Sequence, residues 1–114
     1  MSRQKHSSRI VRPAKAAVFA ALGDDTRLAL IAKLGSGYPC SISQLTAGKK
    51  VTRQTITKHL RVLQRAGIVR CTRRGRESLF EFDPAPIVGI QEYLDIVSKQ
   101  WDSALARLKA YVEK

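Results

Sequence analysis

Residues 41–67, SISQLTAGKKVTRQTITKHLRVLQRAG, decide how the rest of the chain is read. Ser41 is followed three residues later by Gln44, the reciprocal pattern that closes the first turn of a helix. It predicts a short helix through about Ala47, ended by Gly48. Lys49, Lys50 and Val51 form a tight turn. Thr52 then caps a further helix, because its hydroxyl can accept from an otherwise unpaired first-turn amide. Ile56, Leu60 and Leu63 recur at helical spacing, Ala66 closes the apolar face and Gly67 is the stop. The opposite face carries Arg53, Gln54, Thr57, Lys58, Arg61 and Arg65.

Upstream, Pro13 suits a first helical position, where its missing N–H would be unpaired anyway. Ala16, Ala17, Phe19, Ala20 and Leu22 continue that helix to Gly23, and Asp24 or Asp25 caps the next. Leu28, Ile31 and Leu34 give the second helix its apolar face, and Gly35-Ser36-Gly37 ends it. Downstream, Ile68–Thr72 and Ser78–Phe82 predict a β-hairpin around the turn Arg73-Arg74-Gly75-Arg76. Asp83-Pro84 opens a long last helix with Ile87, Ile90, Leu94, Val97, Trp101, Leu105, Leu108 and Val112 at steps of three and four. Seven turns span about 40 Å. Only one side of such a helix can pack on so small a domain, so the remaining stripe predicts a second copy of the chain as its cover.

Charge points to the other partner. The 114 residues carry 21 Lys and Arg against 9 Asp and Glu, a net +12. Residues 1–76 hold 17 basic and 2 acidic side chains, and no acid occurs between Asp25 and Glu77. A one-signed stretch of this length calls for a polyanion. Residues 77–114 reverse the sign, with 4 basic and 7 acidic. Residues 1–10 read as a flexible basic arm and 11–114 as a single domain. Nothing resembles a secretory leader or a membrane span, and Cys40 and Cys71 do not suggest a disulfide framework. The expected location is cytoplasmic.

A short helix, a tight turn and a basic helix predict a helix-turn-helix, whose second helix enters the major groove of duplex DNA. Arg53 and Lys58 suit guanine acceptors or phosphates. Gln54 suits adenine, and Thr52 and Thr57 suit phosphate or a thymine methyl. Arg61 extends the set, and His59 is counted with it, packing being its alternative role. The hairpin tip, with Arg73, Arg74 and Arg76, is a wing that can neutralise phosphates or enter the minor groove. A sequence-indifferent chromatin-like or RNA-binding module would share the charge but would not need the long apolar helix. An enzyme would need a phosphate loop, metal-ligand spacing or an activated nucleophile, and none is found. An interaction adaptor is at odds with the acid-poor first 76 residues.

Val18-Phe19-Ala20-Ala21-Leu22-Gly23-Asp24-Asp25-Thr26-Arg27-Leu28 resembles the opening motif of ArsR-type repressors, where LGDPTR is typical. Residues 52–63, followed by Ala66-Gly67-Ile68-Val69, resemble the recognition helix of that family, and Gly75-Arg76 before Leu79-Phe80 resembles its wing. The resemblance covers about residues 14–83. It implies a mostly α fold with a small β-hairpin wing, a winged helix-turn-helix with long N- and C-terminal dimerisation helices. It also implies a homodimeric repressor on an inverted-repeat operator, bound through helix 52–66 and wing 72–79. The implied dimer face comprises Phe19, Ile90, Leu94, Val97, Trp101, Leu105 and Leu108.

The chain departs from the family in three places. Asp25 stands where Pro is frequent. Ser41-Ile42-Ser43 stands where metal-sensing members carry CVC, and no His follows His59 for the metal site of another class. No metal and no cofactor are therefore expected, and an effector, if one acts, is an organic molecule, a protein partner or a thiol oxidant.

Overall fold

The computed structural model describes residues 15–113. The proposed arm and the helix start at Pro13 lie outside the described residues. The elements run α1 (Lys15–Leu22), α2 (Asp25–Leu34), β1 (Cys40–Ser41), α3 (Ile42–Thr46), α4 (Arg53–Arg65), β2 (Val69–Arg74), β3 (Glu77–Phe82) and α5 (Ala85–Val112).

Local chemistry sets the helix ends. Asp24 caps α2 by accepting from the Arg27 amide at 3.1 Å. At α3 the capping box is complete: the Ser41 amide donates to Gln44 Oε1 at 2.8 Å, and the Gln44 amide donates to Ser41 Oγ at 3.2 Å. Thr52 caps α4, accepting from the Thr55 amide at 3.1 Å. At the other end of α4, Gly67 takes φ +77°, a conformation that costs an L side chain energy. The Gly67 amide then reaches Gln64 O at 2.9 Å, and the Ile68 amide reaches Leu63 O at 3.0 Å. This is a Schellman closure, completed by two fully buried side chains, Leu63 and Ile68.

The core gathers Val18 and Ala21 of α1, Leu30 and Leu34 of α2, Leu45, Ile56, Leu60, Leu63, Ile68, Val69, Phe80 and Ile90. The face of α2 differs from the expected one. Leu28 is half exposed and Leu30 is buried, because the stripe turned inward runs through Leu30 and Leu34, with Ile31 beside it.

The hairpin is also longer than expected. Pairing runs from Val69↔Phe82 to Arg74↔Glu77, so Arg73 and Arg74 belong to a strand and Gly75-Arg76 alone makes the reversal. Gly75 at φ +61° allows so tight a turn. A third strand, not anticipated, joins them: Cys40 pairs with Phe80 and Ser41 with Leu79, giving the antiparallel order β1-β3-β2. The wing is therefore stitched to the start of α3.

The α2 cap has a pH signature. The Asp24 carboxylate is held below its ordinary value of 3.8, chiefly by the hydrogen bond from the Arg27 amide. The folded value lies below the unfolded one. The contribution to stability is thus present above the unfolded value and lost as pH falls through the folded one. Asp24→Ala is expected to lower the melting temperature at neutral pH, with the gap to wild type narrowing below pH about 4. Thermal melts across that range check it, and a constant gap would contradict it.

Candidate nucleic-acid interface

The outward face of α4 forms a shallow open groove of about 600 Å³, lined by Arg53, Gln54, Thr57, Lys58 and Arg61. Five of the residues singled out in the sequence thus come together on one surface. Among the described residues, none of the three cations there is paired with a carboxylate. Their charge is free to meet phosphate.

The helix that carries this face is held from two sides. Inside, Ile56, Leu60 and Leu63 are fully buried. At its N-terminal end, Arg53 Nη1 donates to Ser43 Oγ of α3 at 2.9 Å, which spans the turn between the two helices. Thr52 is exposed at the helix start, but its hydroxyl is engaged in capping and in a 3.0 Å bond to Thr55 Oγ1. Thr57 also lines the groove, and its hydroxyl donates to Arg53 O at 2.8 Å.

His59 does not join this face. Its ring lies on the opposite side of α4, half-buried against α2, with Nδ1 3.1 Å from Arg27 Nη1 and 3.8 Å from Asp24 Oδ2. The placement expected for it among DNA-contacting residues is corrected for a geometric reason. Residues 53, 54, 57, 58 and 61 share one arc of the helix, and 59 falls across from them.

In the wing, Arg73, Arg74 and Arg76 are all exposed. Arg70, nearer the base, is instead 3.9 Å from both Glu81 and Asp83. Glu77 lies across from Arg74 at the tip, but among the described residues the three tip arginines form no ion pair with a carboxylate, unlike Arg70 at the base.

The last helix divides along its length. Ile90, expected on the intermolecular stripe, is only 5% exposed and belongs to the chain's own core. It lies in the first two turns of α5, where the helix crosses the domain. Val97 is half-buried. Leu94, Trp101, Leu105 and Leu108 are exposed by 48–65%, and Phe19 by 39%. Sequence reasoning missed Tyr93, Ile96 and Tyr111, which are exposed on the same helix. Tyr93 meets Phe19 edge-on at 6.2 Å between centroids, and Lys15 Nζ sits 5.7 Å over its ring.

A family model described as a helix-turn-helix domain matches residues 22–72. The chain is 35% identical over 79 residues to the HTH-type transcriptional regulator YuzN of Bacillus subtilis, covering 64% of this chain and 86% of that one. The HTH-type transcriptional regulator Rv2034 of Mycobacterium tuberculosis is 31% identical over 85 residues, covering 75% and 76%. The solved structure of an ArsR-like transcriptional regulator from Rhodococcus sp. RHA1 superposes with a TM-score of 0.79 at 37% identity, covering 86% of this chain and 89% of that one. The chain belongs to the ArsR-type winged helix-turn-helix regulators.

As a member of that family it is a DNA-binding transcriptional regulator. By position α4 corresponds to the second helix of the family's helix-turn-helix and β2-β3 to its wing. The residues at the family's α3 thiolate positions do not fit a metal. Ser41 is the α3 cap and the Ser43 hydroxyl holds Arg53, so both are engaged in structure. Among the described residues no three His, Cys, Asp or Glu side chains gather as a metal site would need. No helix there is long and apolar enough to cross a membrane.

Proposed function

We propose that the protein is a homodimeric repressor that reads an inverted-repeat operator, with α4 in the major groove and the wing on the flanking backbone. The observation that carries this reading is the groove on α4, where arginine, lysine, glutamine and threonine converge without a carboxylate. Arg53 and Gln54 supply base-edge chemistry, while Lys58 and Arg61 supply phosphate chemistry. The exposed stripe of α5, with Phe19 of α1, meets its copy across a two-fold axis. That places two recognition helices roughly 34 Å apart, one turn of DNA. The protein acts in the cytoplasm as a single domain with a basic arm and without cofactor or catalytic activity. Its effector, if it has one, is not a metal ion.

Selection of bound fragments from the source genome with the purified protein tests the reading. Enrichment of a few sites sharing an inverted repeat is the expected result. Uniform recovery of fragments would refute it.

The wing carries its own expected outcome. Arg74 and Arg76 neutralise phosphate, and removing one such cation flattens the slope of log affinity against log salt by about 0.9. The Arg74→Ala/Arg76→Ala double variant removes four such cations from the dimer and should therefore lower affinity and flatten the slope by roughly 3.6, with base preference unchanged. Titrations at several salt concentrations measure both.

A further inference from the structure

We propose that Arg27 is a positioning residue for DNA recognition, locking the recognition helix to the C-terminal end of α1 through His59. The proposal rests on reading α4 as the helix that contacts bases. All three guanidinium nitrogens are engaged: Nε donates to Ala21 O at 2.7 Å, Nη2 to Ala20 O at 3.3 Å, and Nη1 approaches His59 Nδ1 at 3.1 Å.

A guanidinium only donates and stays charged, so Nδ1 must be the acceptor and the ring carries its proton on Nε2. Two of the three partners are carbonyls of the last turn of α1, where helical donors run out; Ala20 O also accepts from the Gly23 amide at 3.2 Å, and Ala21 O is taken up by Nε. The third is the back of α4, directly across from the DNA-facing groove. Asp24, whose carboxylate caps α2 3.8 Å from the ring, is the other charged group facing His59.

Direction is what this contact adds. The rest of the inner face of α4 is aliphatic: Ile56, Leu60 and Leu63. Aliphatic packing is non-directional and leaves small rotations about the helix axis cheap. A rotation of about 10° moves atoms at the 5–6 Å side-chain radius by roughly 1 Å, enough to spoil paired hydrogen bonds to a base. A rigid planar fork anchored on two α1 carbonyls fixes that rotation. Because α1 packs on α5, the same fork sets the recognition helix relative to the proposed dimer face.

The test compares wild type, Arg27→Gln, His59→Leu, His59→Gln and the Arg27→Gln/His59→Leu double variant. Two probes serve: the duplex enriched by wild type from a randomised library, and a shuffled duplex of the same composition. Wild-type preference for the enriched duplex checks the underlying reading by itself. The variants then check the lock. Arg27→Gln and His59→Leu should each cut the ratio of the two affinities about tenfold, the scale of one charge-assisted hydrogen bond. His59→Gln, which can present an amide oxygen to Nη1, should stay within about threefold of wild type. The double variant should fall no further than either single one. Arg27→Lys, which keeps the charge without the fork, should show the same fall and replaces Arg27→Gln if that variant does not fold. Parallel loss on both duplexes, with the ratio unchanged, would make Arg27 a stability residue and overturn the proposal. Additive losses in the double variant would overturn it as well.

Discussion

Leu94→Asp or Trp101→Asp is expected to leave a folded monomer that binds its operator at least about a hundredfold more weakly. Both side chains are about half exposed or more on the chain alone, 48% for Leu94 and 65% for Trp101, so neither substitution disturbs the core. In the proposed dimer each buries an apolar side chain worth about 1.5–3 kcal/mol, and a carboxylate there must be desolvated without a partner. The loss on DNA follows from linkage. A dimer binds its second half-site at an effective concentration near millimolar, which raises avidity by roughly 10²–10⁴ without any new contact. Ile90→Asp supplies the contrast. Because Ile90 is buried within its own chain, that change should unfold the protein rather than dissociate it. Sedimentation velocity with circular dichroism separates the two outcomes. A wild-type monomer at tens of micromolar would refute the dimer.

The second large effect lies on the groove. Arg53→Ala and Gln54→Ala should each cost about 1–3 kcal/mol of operator affinity per half-site and relax base preference at one position in each. Gln54 is exposed at the start of the helix, where major-groove readers make their base contacts. Arg53 is tethered to Ser43, so its replacement also releases α3. Its effect should therefore be the larger of the two. Lys58→Ala and Arg61→Ala should instead weaken operator and random duplex alike. Base-by-base substitution of the operator, titrated against each variant, tests this division. Equal loss on every sequence for Gln54→Ala would contradict it.

What could be read from the sequence was mostly what is local. The caps at Ser41-Gln44 and Thr52 connect residues three apart, so composition within one turn is enough to see them. The strong two-sidedness of α4 is local in the same way, and it also separates His59 from Arg53 and Gln54 once positions are placed around the helix. What was hidden is long-range. Leu28 and Leu30 are equally apolar, and only the packing of α2 on α4 and β3 decides that Leu30 turns inward. β1 is two residues long, too short to show alternation, and exists because β3 offers an edge. Ile90 and Leu94 lie one turn apart on the same stripe, yet the domain ends between them. Arg27 stood in the opening motif, but its tie to His59 crosses 32 positions and follows no periodicity.

The third strand fixes how far the hairpin reaches beyond the domain. Cys40, Phe80 and Cys71 form one row across the sheet, and Ser41, Leu79 and Thr72 form the next. At these two rows β3 is flanked on both sides, and the base of the hairpin moves with α3. From Thr72 out to Gly75 the hairpin extends three residues, about 10 Å at 3.3 Å each. The wing is thus a short ruler of fixed length rather than a hinged flap. In the proposed complex the spacing between α4 and the wing tip is set by the protein, and a duplex would have to match it by its own twist and groove width.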